Sequence, residues 1–160
     1  MQTTQPTQPI RYAGFWIRVA ASLIDTVLIV VITYPLLYAI YGKDYFNPET
    51  SGLIAGPVDF LITWILPAIA IILFWINRQA TPGKMALSLR IVDADTGGPL
   101  SVGQSVGRYF GYFVSTIPLF LGLIWVAFDK RKQGWHDKLA HTVVIRTKRG
   151  AEPVGFPRGQ

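Results

Sequence analysis

The chain contains no cysteine. That single absence excludes disulfides, thiolate catalysis, iron–sulfur ligation and cysteine-based zinc sites. Histidine is nearly as scarce, with only His136 and His141, so no histidine cluster is left for a buried metal. No metal and no cofactor are therefore expected. Charge is sparse too: 15% of the 160 residues are charged against 51% hydrophobic, and the mean hydropathy is +0.35. This balance excludes disorder over most of the chain and argues against an ordinary soluble globule. The opening residues also lack the basic n-region of a secretory signal, and the apolar run behind them is too long for a cleaved one. The first apolar segment is expected to remain as an anchor.

What the sequence does have is three long apolar stretches. Residues 19–41 carry only Asp25, and residues 60–76 and 109–128 carry no charge. A helical span needs roughly 20 apolar residues, so each is long enough to be weighed against the bilayer. The reading is an all-α integral membrane protein over residues 12–146. A Thr/Gln/Pro-rich head, 1–11, and a polar tail, 147–160, lack the apolar surface to fold and are expected to be disordered.

Lysine and arginine in short loops are retained in the cytoplasm, so their distribution predicts sidedness. The loop 42–59 has one base, Lys43, against Asp44, Glu49 and Asp59, whereas 77–108 carries Arg78, Lys84, Arg90 and Arg108, and eight bases follow Phe128. This places the first loop outside, with the N-terminus, the middle segment and the C-terminus on the cytoplasmic side. Three full spans would push the eight C-terminal bases outside. The conflict disappears if 101–128 is a third helical segment broken at Ile117–Pro118 and Gly122, made of two arms of about 13 to 16 residues that enter and leave on one side. The competing reading is a third complete span.

Two short β-branched runs support the hairpin. Leu87–Asp93 with the turn Thr96–Pro99 and a return at Leu100–Val102 reads as a small cytoplasmic β-hairpin, and Thr142–Arg146 is a further strand expected to pair with Leu89–Asp93. A lone two-stranded hairpin is marginal in water, which gives these runs reason to pair as a sheet, and they must then share one side of the membrane.

Arg18 and Asp25 are the most informative residues. Ionisable groups inside a span cost about 2.5–3.5 kcal/mol on insertion scales and mark function or a buried polar network. Seven residues apart, they share one helix face, but their axial separation of roughly 10 Å is too long for a direct salt bridge. Arg18 is close enough to the helix end to act as an interfacial anchor. Asp129 and Asp137 lie inside a basic run, where an anionic membrane surface gives them nothing, so each is expected to answer an arginine, with Arg108 placed beside Asp25.

These residues also carry a family resemblance. Tyr12-Ala13-Gly14-Phe15-Trp16-Ile17-Arg18 with Ile24-Asp25, Thr81-Pro82-Gly83-Lys84, Leu89–Asp93 with Leu100-Ser101, Phe128-Asp129, and Gln133-Gly134-Trp135-His136-Asp137-Lys138-Leu139-Ala140-His141-Thr142 together resemble the RDD family. The resemblance implies a bacterial inner-membrane protein with a role in transport of a ligand it does not name. The family's eponymous arginine and first aspartate are matched by Arg18 and Asp25, and its second aspartate by Asp137 ahead of Asp129. His141 departs from the pattern, where a small residue is usual.

Gly103, Gly107, Gly111 and Ser115 recur every four residues and form a small-residue stripe suited to helix packing, within the chain or against another copy. Thr81–Lys84 lacks the spacing of a phosphate loop. No Ser, His and acid spacing points to catalysis, and Ser22 and Ser115 read as polar contacts between helices, so the chain is not expected to be an enzyme. The net charge of +6 is explained by membrane flanks facing anionic headgroups rather than by nucleic acid. Two functions compete. One is a small transporter subunit for an ion, proton or small solute, which three segments can build only as an oligomer or with a membrane partner. The other is a non-catalytic assembly module in which the Arg/Asp cluster is structural.

Overall fold

The structure is a computed structural model and describes residues 10–47 and 54–147. Most of the head 1–11 and of the tail 147–160 lies outside the described residues. Helix α1 runs from Phe15 to Tyr41. Its 27 residues span about 40 Å at helical rise, more than the roughly 30 Å of a bilayer's hydrocarbon core. Only Arg18, Ala21, Thr33 and Leu37 on it are buried, while Leu23, Val27, Val31 and Ile32 point outward. Such a surface is stable against lipid and not against water.

The second rod is continuous from Pro57 to Arg78. It comprises α2 (Pro57–Phe60), a π-helical turn at Leu61–Ile65, and α3 (Leu66–Arg78). The wide turn lies just ahead of Pro67, whose missing N–H frees an upstream carbonyl. At the end of the molecule where α1 meets this rod, Asp59 is buried and accepts hydrogen bonds from Tyr45 Oη, Ala55 N and Thr63 Oγ1, while its own N–H donates to Tyr41 Oη. Read as a loop charge from sequence, Asp59 instead ties the intervening loop to both helices.

Beyond Arg78 the chain forms a short helix α4 (Pro82–Ala86), strand β1 (Leu89–Asp93), helix α5 (Val102–Thr116), helix α6 (Leu121–Ile124), helix α7 (Trp135–Leu139) and strand β2 (Thr142–Arg146). Helix α6 tightens at its end into a 3₁₀ turn, Trp125–Ala127. Strands β1 and β2 pair antiparallel, Leu89 opposite Arg146 and Asp93 opposite Thr142. The local hairpin expected from Thr96–Pro99 does not form. Ser101 caps α5 instead, its side chain accepting from Gln104 N while Gln104 Oε1 accepts from Ser101 N, a capping box that starts a helix where the return strand was expected. The chain ahead of α1 lies along the other edge of β2, with Ala13 N donating to Val144 O and Arg146 N to Arg11 O.

The third apolar segment is a bent pair. Val102–Thr116 and Leu121–Ala127 meet at 111°. Pro118 and the left-handed backbone at Leu119 (φ 52°) and Phe120 (φ 61°) make the break. Gly122 lies inside the second arm rather than at the break, and a Cβ on it would fall 2.6 Å from Ser115 Cα, so glycine is what lets the arms close on each other. The second arm is also shorter than the 13 to 16 residues expected. Because Ala94 N donates to His141 O and β1 pairs with β2, the bent pair leaves and returns at the same end of the molecule. The main core is at that end too: Ala13, Ala21, Trp75, Ile91, Leu100 and Val144 pack between the sheet and the helices.

Candidate functional site

Arg18 and Asp25 lie on one face of α1, with the buried Ala21 between them, as a seven-residue spacing requires. They serve different partners. Arg18 turns inward rather than towards the interface and is 9% exposed. Its Nε donates to Ala13 O at 3.0 Å, its Nη2 to Lys132 O at 2.5 Å, and its Nη1 pairs with Asp137 Oδ2 at 2.5 Å. One side chain thus joins the entry to α1, the 129–134 loop and α7. Asp25 accepts from Thr81 Oγ1 at 2.5 Å and from Gly83 N at 2.7 Å, clamping the start of α4 beneath α1. A Cβ on Gly83 would collide with Ala21 O and with the Asp25 carboxyl, so only glycine allows this approach. Arg108 is not beside Asp25.

Arg108 belongs to Asp137. It is fully buried, with Nη1 donating to Thr142 Oγ1 at 2.9 Å and Nη2 standing 2.6 Å from Asp137 Oδ1. That last contact lacks hydrogen-bond alignment, leaving both atoms without a directed partner among the described residues, so it is an ion pair by proximity. The guanidinium also lies over Trp75, 5.2 Å from the ring centroid. Asp137 Oδ2 accepts in addition from Gly134 N at 3.0 Å, which caps α7. The result is a buried Arg18–Asp137–Arg108 triad linking α1, α5 and α7. Burial alone would raise the Asp137 carboxyl, but Arg108 and then Arg18 outweigh it and hold the group well below the ordinary carboxylate range.

Asp129 does not join the triad. It accepts from Arg131 N and Gln133 N and pairs with Lys138 Nζ, shaping the loop before α7. The small-residue stripe is also divided: Gly111 and Ser115 are buried against α7, where a Cβ on Gly111 would meet His136 Cα at 2.9 Å, while Gly103 and Gly107 face outward.

Sequence reasoning missed His136. It is buried, stacks on Tyr112 with ring centroids 4.0 Å apart, and places Nδ1 3.3 Å from Ser115 Oγ and Nε2 3.5 Å from Asp137 Oδ1. Burial presses its pKa down to about 3, so the ring is neutral. Ser, His and Asp therefore meet in space, although no spacing signals it. The Ser115 hydroxyl nevertheless donates to Gly111 O at 2.9 Å and accepts from His136 N at 3.0 Å, which makes it a helix joint rather than an activated nucleophile. Lys84 was missed as well. It sits on α4, is 5% exposed, and lines a cleft of about 380 Å³ between α1 and the bent pair, together with Arg18, His136 and a largely apolar wall.

Two helices long and apolar enough to cross a bilayer, a bent apolar pair and a buried ion triad define an integral membrane protein with two or three spans. The chain belongs to the RDD family, whose model matches residues 12–141. Among its relatives, uncharacterized protein YxaI of Bacillus subtilis is 33% identical over 83% of this chain and 96% of its own. Uncharacterized membrane protein YteJ of the same organism is 30% identical over 86% of this chain and 82% of its own. The proline-rich antigen homolog of Mycobacterium tuberculosis is 30% identical over 89% of this chain and 65% of its own. No solved structure matches the present chain.

Proposed function

We propose that this protein is a small transporter subunit of a bacterial cell membrane, handling its solute in the cleft between α1 and the bent pair. The observation that carries the reading is the cleft itself. It is lined by Arg18, Lys84 and His136 together with mostly apolar groups, and it is braced by a triad whose charges are already committed to one another. In this reading Arg18, Asp137 and Arg108 are a fixed frame, Asp25 fastens the Thr81–Lys84 turn to it, and the cleft does the work. The charge distribution supports a cytoplasmic sheet and cytoplasmic terminal segments, with Lys130, Arg131 and Lys132 available to anionic headgroups. One copy is too small to enclose a wide pathway, so a homo-oligomer or another membrane protein completes it.

The test is counterflow from liposomes carrying the purified chain, with monovalent cations, protons and small organic anions as solutes. Wild type moves at least one of them, and Leu23→Trp, which narrows the cleft from its lipid-facing side, inserts normally and moves none. Wild type moving none would end the reading. A specific observation favours the assembly module as the second one: Gly103 and Gly107 leave an open strip on α5, with no heavy atom within 4 Å of a Cβ on Gly107, a surface fit for another helix.

A further inference from the structure

Lys84 differs from the other buried cations among the described residues. Arg18 and Arg108 answer Asp137, whereas Lys84, between them in burial, has no hydrogen bond and no ion pair from its ammonium among the described residues. The turn that carries it is held in place by Asp25, which accepts from Thr81 Oγ1 and Gly83 N. No acidic residue lines the cleft: Arg18 is a cation, His136 is neutral, and Ser22, Thr26 and Tyr112 bring hydroxyl groups. An ammonium that lines a largely apolar cleft and makes no ion pair of its own is a ready partner for an anion supplied from outside.

The remaining wall sets the rest of the ligand. Val19, Leu23, Phe120 and Leu123 line the cleft, and two of them, Leu23 at 61% and Phe120 at 56%, are also exposed on the outer surface of apolar segments. An apolar lining that continues onto such a surface suits an acyl chain. A free inorganic anion would leave this wall unfilled. A zwitterionic lipid carries its own cation beside its phosphate and leaves Lys84 uncompensated. The volume, about 380 Å³, is at the small end of the roughly 300–1,000 Å³ typical of ligand sites and suits one chain rather than two.

We infer that the cleft binds an anionic phospholipid, with its headgroup phosphate on Lys84 Nζ and one acyl chain along Val19, Leu23, Phe120 and Leu123. This deepens the transport reading by naming the occupant of the same cleft, and it rests on that reading only in treating the cleft as the working site.

The experiment is thermal unfolding of the purified full chain in a non-ionic detergent, titrated with phosphatidylglycerol, with phosphatidylcholine of the same chains, or with sodium phosphate. Phosphatidylglycerol should bind about tenfold or more tightly than phosphatidylcholine, and sodium phosphate at matched ionic strength should shift nothing. In Lys84→Met the preference for phosphatidylglycerol should vanish. Leu23→Trp should weaken both lipids alike. Equal binding of the two lipids by wild type, which needs no variant to fold, overturns the inference, as does a preference that survives Lys84→Met or Lys84→Gln. A shift from sodium phosphate alone replaces the lipid with a free anion. Lipid preference without flux from liposomes leaves this site standing and removes the transport reading, and flux without lipid preference does the reverse.

Discussion

Arg108 Nη2 lies 2.6 Å from Asp137 Oδ1, and neither side chain is exposed at all. With Arg18 on the opposite oxygen, one carboxylate answers two arginines from two different helices. A buried pair of this kind adds little over a well-packed apolar substitute, but breaking it by removing one partner is expensive, because the other charge is left without compensation.

Asp137→Asn should therefore cost about 3–5 kcal/mol and sharply lower the amount of folded protein in the membrane. Asp129→Asn breaks a pair whose Lys138 partner is 44% exposed and should cost about 1 kcal/mol or less. Side-by-side unfolding of the two variants measures the contrast. Equal losses would remove the special standing given to Asp137.

Acid should act first through His136. Its folded pKa of about 3 lies below its ordinary 6.5, so between those values the unfolded chain binds the extra proton and stability falls as pH falls. The slope should approach about 1.4 kcal/mol per pH unit below 6.5. The depressed Asp137, Asp129 and Asp93 carboxyls contribute stability that is present above the ordinary carboxylate value and is lost only as pH drops beneath it. Unfolding midpoints of wild type should decline from pH 6.5 to 4.5, while those of His136→Phe stay level. A parallel decline in both would place the acid sensitivity elsewhere.

The stripe on α5 should split in two. Gly111→Ala forces a Cβ into His136 and should cost about 1–3 kcal/mol, whereas Gly107→Ala meets open space and should gain up to about 1 kcal/mol of helix propensity in the isolated chain. Loss of a dimer band in Gly107→Leu, with the monomer intact, would locate a partner helix on this strip.

Asp25→Asn should keep one of the two bonds to the Thr81–Gly83 turn and lose the charge that strengthens both, costing about 1.5–3 kcal/mol. Thr81→Val should weaken the same clamp, and the double variant should be clearly less than additive. Full additivity in the unfolding midpoints would mean that Asp25 and Thr81 do not act together.

Reporter fusions at Lys84 and Gly150 should both give a cytoplasmic signal, because the bent pair returns to the sheet it left. An external signal at Gly150 alone would demand a third crossing.

Much of this architecture was readable beforehand. The apolar lengths mark both rods, the conflict in the charge rule calls for a broken third segment, and isolated β-branched runs pair because each lacks partners alone. The resemblance pointed to Arg18 and Asp137. What could not be read is which charge meets which: the seven-residue spacing fixes a shared face for Arg18 and Asp25, but not which distant elements pack on it. The return strand at Leu100–Val102 was misread because Ser101 and Gln104 form a cap, a local signal that outcompetes a short apolar run. Lys84 and His136 gave no warning, since burial of a lone lysine or histidine is decided by what closes over it.

Arg18 and Asp137 are separated by 119 residues of chain. At about 5–20 residues per second of synthesis, the arginine is made some 6 to 24 s before its counter-ion exists. During that interval α1 carries a positive charge whose partner in the folded protein has not yet been made. The frame that joins α1, α5 and α7 can therefore close only after α7 emerges, so the helix that starts the fold is fixed in place late.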